Sequence, residues 1–181
     1  MSIAFTLPGN IPVYVFSLLL GAGAALGLAW VAWQAEPAAA LPLVRLGAGV
    51  IIGSLIGARL AHLAPYWSYF RTHPAEIAQD PFGGLTWPGA AAGGLITLAA
   101  LAPLGGLSLP RAADALLPAA LSTAAAAWLG CWLDGCAYGD LSSAWGSVPG
   151  RDEWGNVDPR VPLQLAAALL TVAFGWGLDT L

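Results

Sequence analysis

Lysine is absent from this chain, and six arginines supply all of its permanent basic charge, with two histidines beside them. Set against ten acids and a formal net charge of -4, so few bases exclude the positive footprint by which proteins hold nucleic acid. They also say little about membrane orientation. In a five-span arrangement Arg71, Arg151 and Arg160 fall on one side and Arg45 and Arg111 on the other, which decides nothing. Cysteine occurs only at Cys131 and Cys136, so no second pair completes a four-ligand zinc site, and no metal is expected. No basic residue lies in Met1 to Ile11, and the apolar run that follows is too long for the core of a cleavable leader. The first helix is therefore expected to stay.

What is plentiful is apolar. Hydrophobic residues make up 58% of the chain and charged residues 9%, and the mean hydropathy is +0.73, far outside the range of soluble domains. Stretches of about 18 or more apolar residues match the ~30 Å hydrocarbon thickness. About five can be marked, at residues 12–33, 41–64, 87–104, 112–133 and 161–178. Barrel strands would alternate over about ten residues, and these runs do not. The fold expected is all-α, a polytopic transmembrane helix bundle forming one integral membrane domain over residues 1–181. Small residues crowd the spans, as in Gly21-Ala22-Gly23-Ala24-Ala25, and let helix backbones approach closely. Gly53-x-x-x-Gly57 is read as such a contact within the bundle.

Two longer connections stand out. Pro65-Tyr66-Trp67-Ser68-Tyr69-Phe70-Arg71-Thr72-His73-Pro74-Ala75-Glu76-Ile77 is aromatic and amphipathic, as expected of an arm at headgroup level, or of a plain connector with interfacial anchors. The long polar loop from Asp134 to Arg160 carries turn signals at Pro149-Gly150, Gly155-Asn156 and Asp158-Pro159. Its acids Asp140, Asp152, Glu153 and Asp158 fit no standard calcium-loop spacing and read as solvated.

The most distinctive stretch is Gly130-Cys131-Trp132-Leu133-Asp134-Gly135-Cys136-Ala137-Tyr138-Gly139. It follows, in order, Tyr14 in the first span, Gly57-Ala58-Arg59-Leu60, His73-Pro74-Ala75-Glu76-Ile77 and Gly83-Gly84-Leu85-Thr86-Trp87-Pro88-Gly89, and it precedes Pro162-Leu163-Gln164-Leu165. The ordered set resembles the prolipoprotein diacylglyceryl transferases, membrane enzymes that attach a lipid to bacterial lipoprotein precursors. The corresponding family patterns are a first-helix tyrosine, G-x-R-L, H-P-L-E-I, G-G-L-S-F-H-G, G-C-F-L-N-G-C-C-Y-G and H-P-T-Q-L. The resemblance implies the bacterial cytoplasmic (inner) membrane, no cofactor, and two partners: phospholipid, namely phosphatidylglycerol, and a lipoprotein precursor. It also implies further helices, which in the family follow the fifth span and supply another arginine.

In the family's reaction a precursor cysteine attacks the glycerol carbon of phosphatidylglycerol; a thioether forms and glycerol phosphate leaves. The thiol must lose its proton and the phosphate charge must be stabilised. The family's histidine would suit the first need, and Pro88 stands at its place. Its arginine before the cysteine stretch would suit the second, and Trp128 stands there with a neutral indole N–H. The asparagine of that stretch is Asp134, an anion where an anionic lipid would come.

Candidate lipid-binding residues are Tyr14, Arg59, Asp134 and Tyr138, and the catalytic set is unassigned. Arg59, near the end of a membrane helix, suits a lipid phosphate or a structural pairing equally. His62, one turn on, is either a packed interface histidine or a pigment ligand. Cys131 and Cys136 point apart on a continuous helix; if the helix ends near Asp134-Gly135 the chain can fold back and join them in a disulfide on the exported side, and otherwise they are two small buried residues. Three functions follow: a diverged diacylglyceryl transferase with altered catalysis, a non-catalytic lipid-binding or assembly subunit of a larger membrane complex, and a pigment- or quinone-associated subunit.

Overall fold

The computed structural model describes residues 3–8, 11–79 and 84–179. Its contacts divide the chain into two compact units, residues 1–30 with 117–181, and residues 31–116. Among the described residues four helical runs are long and apolar enough to cross a membrane: Val15–Gln34, Pro37–Phe70, Trp87–Gly105 and Leu109–Asp134. Gly83 of the Gly83–Gly89 motif, and the ends of the N-terminal and C-terminal stretches at residues 1–2, 9–10 and 180–181, lie outside the described residues.

In the first unit the chain opens not as a helix but as an antiparallel hairpin, β1 (Ile3–Leu7) with β2 (Ile11–Tyr14). The first span therefore starts at Val15 rather than Pro12. Pro12 has no N–H to give a helix, and β-branched Ile11 and Val13 suit a strand. Helix α1 (Val15–Gln34) follows without a break. Gly23 and Gly27 lie against Ala119, Ser122 and Ala126 of the later helix α6; a Cβ at Gly27 would come within 2.6 Å of the Ala119 Cα. Such contact is the usual basis of helix association in lipid, where hydrophobic exclusion gives no net drive.

The second unit holds the end of α1 and then α2 (Pro37–Leu63), opened by a proline at its first position, where the missing N–H costs nothing. A 3-10 turn (Ala64–Tyr66) and α3 (Trp67–Phe70) carry the helical run onward, and α4 (Glu76–Gln79) ends the arm. The run Pro37–Phe70 is 34 residues long, more than the ~20 residues that cross ~30 Å of hydrocarbon. Helix α5 (Trp87–Leu101) packs on α2 through glycine on both sides. A Cβ on Gly57 would run into the Gly89 carbonyl oxygen and lie 2.7 Å from the Gly93 Cα, and Gly53 meets Thr97. The Gly53-x-x-x-Gly57 pair thus makes a contact inside the chain.

Helix α6 (Leu109–Asp134) passes from the second unit into the first. Pro118 inside it removes one backbone donor, and the Ser122 hydroxyl donates to the Pro118 carbonyl oxygen at 2.7 Å. The polar loop contains a second hairpin, β3 (Val148–Arg151) with β4 (Val157–Arg160). The expected fifth span is α7 (Leu163–Asp179), which at 17 residues is shorter than the four membrane-length runs.

Candidate functional site

The end of α6 is where most motif residues of the first unit meet. Gly135 leaves the helix in the left-handed region, φ +77°, and the Gly135 and Cys136 N–H groups both donate to the Cys131 carbonyl oxygen at 2.9 Å. This is the helix-ending geometry that glycine favours. It turns the chain back on itself, with the Cys131 and Cys136 Cα atoms 4.6 Å apart and their sulfurs bonded. A side chain at Gly135 would also strike the Asp152 carbonyl. Ala137 follows at φ +50°, a conformation costing a non-glycine residue on the order of 1 kcal/mol. Gln164, buried at the start of α7, donates through Nε2 to the Cys136 carbonyl oxygen at 3.0 Å. The Pro162–Leu165 motif and the cysteine motif are therefore fastened to each other.

Asp134, also buried, accepts the backbone N–H of Phe16 on Oδ2 at 3.3 Å. That residue lies in the first turn of α1, whose N-terminal positive dipole favours a carboxylate. Phe16 packs on Gly130, where a Cβ would lie 2.8 Å from its ring. Tyr14, half-buried at the end of β2, is two residues before Phe16, so Tyr14 and Asp134 share one end of this unit. Tyr138 goes elsewhere. Its ring lies under the Arg160 guanidinium, 4.7 Å from centroid to Cζ, and its hydroxyl donates to Glu153 at 3.4 Å.

Arg160 is the centre of a polar cluster that the sequence reading treated as solvated loop charge. Its guanidinium pairs with Asp152 at 3.2 Å and donates to the Gly139 carbonyl oxygen at 3.3 Å, with Asp158 at 4.0 Å. Asp152 Oδ1 accepts the N–H groups of Trp154 and Asn156, and its Oδ2 accepts the Asn156 amide. Loss of hydration pushes the Asp152 carboxyl up, but the bonds from Asn156 and Trp154, with Arg160 beside them, outweigh it and hold the group below its ordinary value. Tyr138 is raised, first by lost hydration, then by the Glu153 carboxylate that accepts its proton and by Asp152, with Arg160 opposing. The cluster clips β3 to β4 and both to the turn after α6.

Arg59 and His62 belong to the second unit. Arg59 reaches across to the arm: Nε donates to the Ile77 carbonyl oxygen at 2.9 Å, one terminal nitrogen to Glu76 O at 3.0 Å and the other to Gly84 O at 3.4 Å. Its Cζ sits 5.9 Å over the Phe70 ring. Thr86 adds a bond from its N–H and its hydroxyl to the Ala58 carbonyl oxygen, each at 3.3 Å. Three of the motifs, Gly57–Leu60, His73–Ile77 and Gly84–Gly89, are thus held together through backbone carbonyls. His62 lies beside the Tyr66 and Phe70 rings, at 5.7 and 6.1 Å. In the arm, His73 stacks on Tyr69 at 4.4 Å, and the Tyr69 hydroxyl donates to Glu76 at 2.9 Å. Pro88 is the second residue of α5 and exposed, and Trp128 is a third exposed on α6. Among the described residues no three His, Cys, Asp or Glu side chains converge as a metal site.

A family model described as prolipoprotein diacylglyceryl transferase matches residues 2–178. The chain is 31% identical over 144 residues to the phosphatidylglycerol–prolipoprotein diacylglyceryl transferase of Bacillus velezensis, a match covering 78% of this chain and 52% of that protein. The enzyme of that name from Bacillus cereus is 30% identical over 135 residues, 73% of this chain and 50% of its own length. That of Dehalococcoides mccartyi is 26% identical over 149 residues, 81% and 56%. The chain spans about half the length of the curated relatives it matches. With one family model running through both compact units and four membrane-length helices beneath it, the chain belongs to the prolipoprotein diacylglyceryl transferase family, multi-pass proteins of the bacterial cytoplasmic membrane.

Proposed function

We propose that this chain keeps the family's phospholipid-facing scaffold and has lost efficient diacylglyceryl transfer, acting as a lipid-holding membrane subunit. Its relatives are named for phosphatidylglycerol and prolipoprotein, and the same lipid is the ligand proposed here. Transfer needs a base for the thiol proton and cations for the departing phosphate. Pro88 has no acceptor side chain, and Trp128 brings no charge.

The observation that carries the reading is what the best-placed arginines do instead. Arg59 spends N–H groups on the backbone carbonyls of Glu76, Ile77 and Gly84, and Arg160 spends its charge on Asp152. Asp134 adds a carboxylate where an anionic lipid would need a neutral donor or a cation. The arrangement holds motifs together and supplies no evident charge to a leaving phosphate.

A second reading, retained transfer with rebuilt chemistry, is favoured by the unbroken order of the motifs and by their mutual contacts within each unit. Lipid binding separates both from a simple structural role. Lipid co-purified in native nanodiscs should be enriched in phosphatidylglycerol over the surrounding membrane; a lipid composition equal to the bulk overturns the ligand assignment. Transfer of label from that lipid to a lipobox peptide separates the two readings, and none is expected.

A further inference from the structure

The hairpin before α1 has a property that neither lipid transfer nor lipid holding explains. Every described residue of β1 is exposed, with Ile3 at 58%, Phe5 at 47% and Leu7 at 46% of full accessibility. Phe5 and Leu7 share a face of the strand, with Val13 of β2 opposite Phe5 in the register. An isolated two-stranded hairpin is marginal in water, because one ladder does not offset the cost of ordering both strands unless an apolar face is covered. None of the described residues covers β1, so its apolar face calls for another cover.

Three further facts say what. No charged side chain occurs between Met1 and Glu36, so nothing in the hairpin resists a low dielectric. Tyr14 passes into Val15 with no linker, so the hairpin joins directly onto a membrane-length helix. Among the described residues no third strand pairs with the outer edge of β1, and unpaired backbone groups are not tolerated in the hydrocarbon core. Apolar side chains require lipid and the backbone edge forbids the core, which leaves the boundary between headgroups and acyl chains.

We propose that the paired strands β1 and β2 form an interfacial anchor on the bilayer, with Phe5 and Leu7 entering the acyl region and the strand edge at headgroup level. The bilayer is the partner. The hairpin leads into Phe16, whose N–H is bonded to Asp134. The anchor therefore sets the membrane depth of the α6 end and of the motif turn after it.

The test uses nitroxide labels. The two native cysteines are bonded to each other, so under non-reducing conditions Phe5→Cys, Leu7→Cys and, as an exposed loop reference, Ser143→Cys each take label at one site. The full chain is reconstituted in phosphatidylethanolamine and phosphatidylglycerol vesicles, and collision with oxygen is compared with collision with a water-soluble nickel chelate. Oxygen preference several-fold above that of Ser143 is expected at both hairpin positions. Nickel preference equal to that of Ser143 overturns the proposal, as does protection from both reagents, which would mark a protein or added strand as the occupant. Labels at positions 5 and 7 report independently, so failure of one variant to fold leaves the other decisive.

Discussion

Arg59→Ala should loosen the arm and leave phospholipid binding intact. Of the bonds Arg59 makes to backbone carbonyls among the described residues, the 2.9 Å bond to Ile77 is partly buried, the 3.0 Å bond to Glu76 is exposed, and the 3.4 Å bond to Gly84 is long. A charge-assisted bond nets about 1.5 kcal/mol where partly shielded and about a third of that in water, and the long bond adds little, so the arm loses about 2 kcal/mol. At 1.36 kcal/mol per decade this is roughly thirtyfold in the local opening constant. Amide hydrogen exchange over residues 71–79 should accelerate by about that factor, while α6 and α7 keep their protection. Arg59→Lys should recover only part of it, because one ammonium cannot address three carbonyls set in a fork. If exchange in the arm stays within about twofold of the parent and phosphatidylglycerol binding collapses, Arg59 is a phosphate ligand and the reasoning above is wrong.

Gly57→Ala should cost about 1–3 kcal/mol in detergent unfolding, since the added methyl meets the Gly89 carbonyl and Gly93 Cα, backbone that cannot rotate away. Gly21→Ala, with open space around it, should be neutral or slightly stabilising, and equal effects at the two glycines would contradict the α2–α5 packing. The Cys131–Cys136 bond closes a loop of a few residues, so the double serine variant should lose about 2 kcal/mol; after mild reduction of intact cells an impermeant maleimide should label these thiols, and labelling only after permeabilisation would move this end of the chain to the cytoplasm. Asp152 sits below its ordinary value when folded, so the stability it contributes is complete above the unfolded value of about 3.9 and lost as pH falls through the lower folded one. Asp152→Asn should flatten that acid limb in thermal melts, and an unchanged limb would assign it to other carboxylates.

The membrane helices were legible because an apolar run long enough for lipid is a one-dimensional signal. Their ends were less so: Pro37, a standard first-turn proline, lies four residues before the expected start of the second span, and Pro12 to Tyr14 read as helix only because nothing polar interrupts the run into Val15. The β3–β4 hairpin escaped notice because four-residue strands rich in proline and arginine carry no period. At the site, the motif residues were visible but their duties were not. Arg59 addresses backbone carbonyls that no side-chain pattern marks, and Asp152 and Arg160 find each other only when the hairpin closes. The spacing of Asp152 and Asn156 was a usable sign, since an aspartate just before a turn often caps the N–H groups that follow it. Gln164 was visible only as part of a motif, although a buried amide beside a turn is a natural partner for an open carbonyl.

In the proposed function, transfer chemistry has been given up while the scaffold is kept. The most direct test incubates the purified chain with radiolabelled phosphatidylglycerol and a lipobox peptide, beside the Bacillus velezensis relative, and counts label in the peptide. No label above a protein-free blank while the relative is active is the result predicted. Peptide label that is lost in an Arg59→Ala variant still protected in α6 and α7 would contradict it, and would mean that the chain performs the reaction without the family's histidine and arginine.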